Sequence, residues 1–362
     1  MVLCFCLSTL HHGGAERVVA NICNELCKNN TVYIVLLSGQ STESIYDLNN
    51  NVHVLSLNKT YNKQFKRFHK IKPLVGLFKQ LNPDAVISFL PFVNVICHFA
   101  CKLAKIVHIT SERNDPRHDP KNIVLRLLKE YSMKKSNGLV CQTDEFKEYY
   151  LKRGVKNVTV IPNPVFIDAC LKTPLAKDRD KKIVYAGRLE RQKNVILLIR
   201  SFKNIQKKYC NYSLTIYGDG KDKKTLMKYV SHHNINNVEF AGPSKEWHRC
   251  VNNSRLFVLC SNYEGMPNSL LEALCLCVPC VSTNYGKAGP YFLINNGENG
   301  LICKKNSVDD LTHSIERLIE SNDLCQQFSN KNAELHKKYD INIISKRWEA
   351  FILNTINSTS NK

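Results

Sequence analysis

Two glutamates, Glu264 and Glu272, have seven residues between them in the run Glu264-Gly265-Met266-Pro267-Asn268-Ser269-Leu270-Leu271-Glu272-Ala273. Pro267 and Asn268 are helix-start residues, and the first turn of a helix holds amides without a helical partner, which favour an anion. The spacing puts open amides at about Ser269–Leu271, Glu264 in the loop ahead of them and Glu272 one turn in. That arrangement suits a bound diphosphate, with one carboxylate for hydroxyls on each side of it, a sugar on one side and a ribose on the other. The segment Gly187-Arg188-Leu189-Glu190-Arg191-Gln192-Lys193-Asn194 sets Arg188 and Lys193 in one loop at the mouth of the sheet. A guanidinium fork and an ammonium point charge both match a diphosphate. Gly218-Asp219-Gly220 permits a sharp turn beside a ligand. Near the amino end, Gly13-Gly14-Ala15-Glu16 places two glycines before a helix, where an anion can approach backbone N–H groups.

Metal chemistry has a weaker basis. Asp178-Arg179-Asp180 fits the pattern of a metal-holding carboxylate pair, but it follows no strand and lysines surround it, so it reads as solvated linker charge. Cys275-Leu276-Cys277-Val278-Pro279-Cys280 offers three thiols and no evident fourth ligand. Most of the 16 cysteines lie in apolar runs, as reduced core cysteines do, which implies a reducing compartment. The expectation is that no metal and no cofactor is used.

These loops need strands to end in and helices to begin. Short β-rich runs alternate with helical patterns twice. The first series of strands is Val2–Leu7, Val32–Leu37, Val52–Leu55, Ala85–Phe89, Ile106–Thr110, Gly138–Cys141 and Val158–Ile161. After Pro162-Asn163-Pro164 the rhythm stops, and it resumes with Ile183–Ala186, Ser213–Tyr217, Val238–Ala241, Leu256–Cys260, Cys280–Thr283 and Gly300–Cys303. Such alternation implies α/β architecture with parallel sheets. The expected organisation is a Rossmann-like domain over 1–165, a linker over 166–182 and a second Rossmann-like domain over 183–340. A C-terminal helix at about 341–357 would pack back on the first. Two doubly wound domains would face across a deep cleft, with ligands at the carboxyl ends of the strands.

The chain has 362 residues and a net charge of +20. This excludes a small acidic enzyme and points to an anionic partner. From Lys59 to Lys79 seven basic residues occur with no acidic one. A helix over Phe65–Leu81, kinked or divided at Pro73, would set Tyr61, Phe65, Phe68, Val75 and Phe78 on one face. Lys63, Lys66 and Lys70 would lie opposite, as on an interfacial helix at an anionic membrane. Val86–Val107 is too polar for a spanning helix, and Met1–Leu10 lacks signal-peptide features. The basic excess is spread over both halves without an RNP-type aromatic motif, which speaks against nucleic acid.

With Gly13-Gly14-Ala15-Glu16, Gly187-Arg188-Leu189 through Lys193-Asn194, and Glu264 to Glu272 taken together, the chain resembles the retaining family-four glycosyltransferases of the GT-B fold over nearly its whole length. Ser111-Glu112-Arg113-Asn114-Asp115-Pro116 and the run from Glu264 to Ala273 resemble most those bacterial enzymes that extend polyprenyl-diphosphate-linked glycans, N-acetylgalactosamine transferases among them. The resemblance implies transfer of a hexose or N-acetylhexosamine from a UDP-sugar to a lipid-linked glycan, in the cytoplasm at the inner face of the plasma membrane. Donor residues would be Gly187, Arg188, Lys193, Gly218, Asp219, Gly242, Gly265, Met266, Pro267, Asn268, Ser269, Leu270 and Glu272. Arg188 and Lys193 would neutralise the leaving diphosphate, Glu272 would hold the ribose, Glu264 would bond the transferred sugar, and main chain around Ala241–Pro243 would meet the base. Gly13, Gly14, Glu16 and Arg113 would face the acceptor. Many members of the family carry a histidine near Glu112-Arg113-Asn114; an arginine there can bind charge but cannot act as a base. The rival readings are a nucleotide-sugar epimerase or phosphorylase on a similar scaffold and a non-catalytic polyanion- or RNA-binding protein.

Overall fold

The computed structural model describes residues 1–362 apart from 12, 39–41, 43, 63–65, 166–172, 245–246, 287–288 and 361–362. The chain divides into two units, Met1–Pro164 with Tyr339–Lys362, and Val165–Lys338.

The first unit is built on parallel strands β1 (Val2–Leu7), β2 (Thr31–Leu36), β3 (Val52–Ser56), β4 (Ala85–Phe89), β5 (Val107–Ser111), β6 (Gly138–Cys141) and β7 (Val158–Val160), in the order β3-β2-β1-β4-β5-β6-β7. Helices α1 (Gly14–Leu26), α2 (Leu57–Thr60), α3 (Ile71–Leu81), α4 (Pro91–Ala104), α5 (Ile123–Lys135) and α6 (Asp144–Leu151) connect them. Strand β1 pairs with β2 on one edge and β4 on the other. Its side chains from Leu3 to Leu7 are all buried, because a central parallel strand is covered on both faces. Side-chain alternation then sorts them. Leu3, Phe5 and Leu7 join a core with α1, whereas Cys4 and Cys6 join a second core with Leu77 and Phe78 of α3 and Cys97 and Cys101 of α4. The described cysteines are free thiols, and all are buried except Cys210 and Cys250. Burial pushes the Cys6 and Cys101 thiols up, so they behave as small apolar side chains.

The expected basic helix over Phe65–Leu81 is not continuous. A 3-10 turn spans Arg67–Lys70 and α3 begins only at Ile71, while Lys63 and Phe65 lie outside the described residues. Pro73 does not divide a helix; it sits in the first turn of α3, where its missing N–H costs nothing. Lys70 is not on a wet face. It is buried, with its ammonium donating to the Leu37 carbonyl and, at 3.3 Å, to Ser38 Oγ. Phe78 is likewise buried, whereas Phe68 is exposed and touches Phe92 edge-on.

The second unit holds β8 (Asp180–Ala186), β9 (Ser213–Tyr217), β10 (Val238–Gly242), β11 (Ser254–Leu259), β12 (Cys280–Thr283) and β13 (Leu301–Cys303), parallel, in the order β10-β9-β8-β11-β12-β13. Its helices are α7 (Val195–Lys208), α8 (Lys223–His232), α9 (Trp247–Asn252), α10 (Asn268–Cys275), α11 (Pro290–Leu293), α12 (Val308–Glu320), α13 (Asn322–Asn332) and α14 (Leu335–Lys338). The expected linker is in part ordered into this unit. Residues 166–172 lie outside the described ones, but β8 already begins at Asp180. Arg179 is not solvated linker charge: it is buried, donating to the carbonyls of Asn252 at 2.7 Å and Cys277 at 2.8 Å, while Asp178 and Asp180 stay exposed. Helix α15 (Ile341–Ser360) returns to the first unit, where Ile344, Trp348 and Ile352 join the core of Phe5 and Phe89.

Candidate functional site

In the second unit the strand order reverses between β8 and β11. From β8 the chain proceeds outward to β9 and β10; from β11 it proceeds the other way to β12 and β13. Loops leaving the carboxyl ends of the two adjacent strands therefore diverge and open a crevice there. They are Gly187–Asn194 and Ser261–Pro267, which contain Arg188, Lys193 and Glu264.

The loops are stitched together by backbone and amide bonds. Asn262 N donates to the Gln192 carbonyl at 2.7 Å, and Gln192 Nε2 donates to the Tyr263 carbonyl at 2.9 Å. The turn after β9 braces them from the side: Leu189 N donates to Asp219 O at 2.8 Å, and Gly218 N donates to Gly242 O at 2.8 Å. Gly218 has φ +129, and a Cβ there would lie 2.0 Å from the Gly187 carbonyl oxygen, so only glycine permits this crossing.

Within this frame Lys193 forms an ion pair with Glu264, and the same carboxylate accepts from Ser261 Oγ at 2.6 Å. Glu264 is 8% exposed, so the pair is largely shielded from water. Sequence reasoning assigned these two residues to different ligand groups and missed their direct contact, along with Ser261 and Gln192. Arg188 lies apart. Its side chain is 57% exposed, and its guanidinium rests against Glu190 at 3.4 Å and Gln192 Oε1 at 3.4 Å. Tyr285, in the loop after β12, was also missed; burial pushes its phenol up, and the Glu264 charge raises it further.

Helix α10 starts at Asn268 with Pro267 as its cap. The first helical bond is donated by Leu271 N to Pro267 O at 3.1 Å. The expected amides thus narrow: Leu271 is taken, and those of Ser269 and Leu270 stand in the first turn ahead of it. Gly265, Met266 and Pro267 are buried beneath them. Glu272 is 4% exposed, and its Oε2 meets His248 Nε2 at 2.8 Å. His248 projects from α9, a helix absent from the expected pattern because its six residues carry no long periodicity.

The first unit places its candidates at the ends of β1 and β5. Gly13 caps α1 in an extended conformation, and its amide already donates to the Tyr46 hydroxyl at 2.9 Å, so it is not open to an anion as expected. A Cβ on Gly13 would lie 2.0 Å from Glu16 Oε2, which fills the space above the helix start; Gly14 follows as the first helical residue. Arg113 follows β5. Its guanidinium lies over Phe89 at 4.8 Å and Trp348 at 5.7 Å and donates to Asn163 Oδ1 at 3.1 Å. Its Nε and Nη2 are buried without a hydrogen-bond partner among the described residues. Desolvation pushes its pKa down to about 9, so it stays cationic at neutral pH.

Among the described residues no group of three metal-capable side chains occurs, and no helix is long and apolar enough to cross a membrane.

Residues 170–351 match the family Glycosyl transferases group 1, and residues 12–169 match Glycosyltransferase Family 4. The chain is 28% identical, over 99% of its length and 100% of the relative's, to the GalNAc-alpha-(1->4)-GalNAc-alpha-(1->3)-diNAcBac-PP-undecaprenol alpha-1,4-N-acetyl-D-galactosaminyltransferase of Campylobacter jejuni. It is 30% identical, over 81% of its length and 84% of the relative's, to an uncharacterized glycosyltransferase of Methanocaldococcus jannaschii. Among solved structures it resembles a mutant of S. aureus TarM in complex with Fondaparinux, alpha-GlcNAc-glycerol and UDP, with TM-score 0.81, 16% identity and coverage of 97% and 99% of the two chains. It also resembles Anabaena HepE in complex with UDP and glucose, with TM-score 0.79, 16% identity and coverage of 96% and 98%. With two parallel Rossmann-like sheets and both family matches in register with them, the chain belongs to the group 1 and family-four glycosyltransferases of GT-B fold.

Proposed function

We propose that the protein is a retaining glycosyltransferase that moves a hexose or N-acetylhexosamine from a UDP-sugar to a polyprenyl-diphosphate-linked glycan at the inner face of the plasma membrane. The observation that carries this reading is the convergence, at the β8/β11 reversal, of the Lys193–Glu264 pair with the amino end of α10. The name of the Campylobacter relative, which carries a diphosphate-linked undecaprenol, supports the acceptor class.

The donor diphosphate would lie against the Ser269 and Leu270 amides, with Lys193 swinging part of its charge from Glu264 to the phosphate. These donors stabilise the charge that builds up as the sugar C1–O bond breaks. Glu272, held by His248, would take the ribose, and the Gly242 main chain would meet the base. Glu264 would orient the transferred sugar. In a front-face displacement the acceptor hydroxyl attacks on the side that the diphosphate leaves, and the departing phosphate oxygen takes its proton, so retention needs no protein base. Arg113 would hold acceptor charge in the first unit.

The test is incubation with a panel of UDP-sugars and a polyprenyl-diphosphate glycan, following UDP release and the anomeric configuration of the product by NMR. Free UDP-sugar isomerisation without transfer would favour the epimerase reading, and an inverted product would refute retention.

Arg188→Ala is expected to weaken UDP binding about tenfold, less than the loss of Lys193. Its exposed guanidinium must leave Glu190 to reach a phosphate, which offsets part of a charge-assisted bond of about 1.5–3 kcal/mol. Calorimetric titration of the variant with UDP reads this directly, and wild-type affinity would remove Arg188 from the site. Because amides and Lys193 carry the positive charge in this reading, turnover is expected to be the same in excess EDTA and in Mg²⁺. Abolition by EDTA and rescue by Mg²⁺ or Mn²⁺ would overturn that part.

A further inference from the structure

Helix α5 turns an apolar ridge outward, which is unusual for a helix between a sheet and water. Ile123, Val124 and Leu127 are 68%, 61% and 62% exposed, and Tyr131 is 44% exposed. At 3.6 residues per turn these four fall within an arc of about 100°. The opposite side carries Lys129, Ser132 and Met133, all buried. The Lys129 ammonium is satisfied there by Glu112 Oε2 at 2.7 Å and the Asp119 carbonyl at 2.7 Å. An ordinary surface helix keeps polar residues on its outward face. A contiguous outward ridge of this kind marks a surface that is covered in use.

The rim states what covers it. Lys121 precedes the ridge, and Lys134 and Lys135 close it, all exposed. The neighbouring α4 runs alongside, with His98 touching Tyr131 at 5.7 Å between ring centroids, and contributes exposed Leu103, Lys102 and Lys105 near its end. Across α4 and α5 the single carboxylate is Glu130, which is engaged by the Tyr149 hydroxyl at 2.9 Å and by Arg153 at 3.8 Å. A second copy docking through the same face would set lysines against lysines, which is unfavourable. We infer that α5, with the end of α4, is the surface by which the protein lies on an anionic lipid bilayer, the apolar ridge entering the interface and the lysines meeting headgroup phosphates. The segment 59–79 is then not the principal contact. The start of α5 lies just after the loop that carries Arg113, so a bilayer there would bring a lipid-anchored head group to the same edge of the sheet. This names the membrane contact of the function proposed above, but its test needs neither donor nor acceptor.

The experiment is flotation of the full chain with phosphatidylglycerol/phosphatidylcholine vesicles and with pure phosphatidylcholine vesicles, at low and high salt. UDP titration and thermal melting of each variant report the fold. The wild type is expected to float with the anionic vesicles only, less so at high salt. The double variant Ile123→Glu/Leu127→Glu is expected to lose at least tenfold in partitioning with unchanged melting and UDP affinity. Lys134→Gln and Lys135→Gln should each cost about fivefold, equivalent to about 1 kcal/mol per basic residue. A Lys59→Glu/Lys66→Glu/Lys72→Glu control should retain most of the binding. The inference is overturned if the α5 double variant floats like wild type, if the control variant alone abolishes flotation, or if wild type fails to float and instead forms a dimer that Leu127→Glu dissociates. UDP affinity that is absent in wild type would strike the donor-site reading and leave the vesicle result to be judged separately.

Discussion

Replacing Lys193 with alanine is expected to lower kcat/KM by two orders of magnitude or more and to weaken UDP itself. Two effects add. The variant loses a charge-assisted bond to the diphosphate, of about 1.5–3 kcal/mol. It also leaves Glu264, 8% exposed, without the cation that balances it, at the place a diphosphate must enter. Removing one partner of a shielded pair leaves an uncompensated charge, and here that charge repels the ligand, for a total of roughly 3 kcal/mol or more. The second effect has a distinct signature. In the double variant Lys193→Ala/Glu264→Gln the repulsion is gone, so UDP should bind more tightly than to Lys193→Ala alone. Isothermal titration of wild type, both single variants and the double variant with UDP gives the four corners of the cycle. Wild-type affinity in Lys193→Ala would remove the donor site from the β8/β11 reversal.

Glu272→Gln and Glu264→Gln are expected to fail in opposite ways. Glu272 stands in the first turns of α10 with its carboxylate held by His248 at 2.8 Å, fixed before any ligand arrives. A carboxylate held this way accepts hydroxyls of a ribose common to UDP and UDP-sugar. Its loss should weaken both ligands by a similar factor, roughly 10- to 100-fold for a charged hydrogen bond of about 1.5–3 kcal/mol. With 2′,3′-dideoxyuridine diphosphate, which lacks those hydroxyls, wild type and variant should bind alike. Glu264→Gln removes a negative charge beside the diphosphate, so UDP affinity should hold or rise slightly while kcat falls, because orientation of the transferred sugar is lost. Parallel titration and steady-state kinetics separate the two. Matching profiles for the two variants would end the division of labour between them.

Much of this was legible in the chain itself. Strand β1 shows why: its residues must be apolar on both faces to sit in the middle of a parallel sheet, and a run so apolar can hardly be anything else. Helices α7 and α12 have the periodicity and length that define their bounds locally, and the loop residues Gly187, Gly218 and Pro267 have backbone preferences that act within a few positions. Segments whose role depends on distant neighbours read less well. Lys70 and Arg179 look like solvated charge from their flanking residues, yet each finds carbonyls far along the chain that make burial favourable. The basic stretch 59–79 reads as an interfacial helix kinked or divided at Pro73 because helical spacing is blind to where a helix starts and which face the core claims.

The sequence alone determined the class of fold, the two series of strands and the loops in which Glu264, Glu272, Arg188 and Lys193 stand, because hydrophobic period, turn residues and helix-start signals are short-range properties. Tertiary structure alone decided which of those residues meet. Lys193 and Glu264 are 71 positions apart and become an ion pair only because β8 and β11 are neighbours in the sheet. His248 reaches Glu272 only because α9 packs against α10. The outward ridge of α5 was invisible for the same reason: its apolar residues have ordinary helical spacing, and only the ion pair of Lys129 with Glu112, a carboxylate that also accepts from the Tyr150 hydroxyl, decides that Lys129 turns inward and Ile123, Val124 and Leu127 face out.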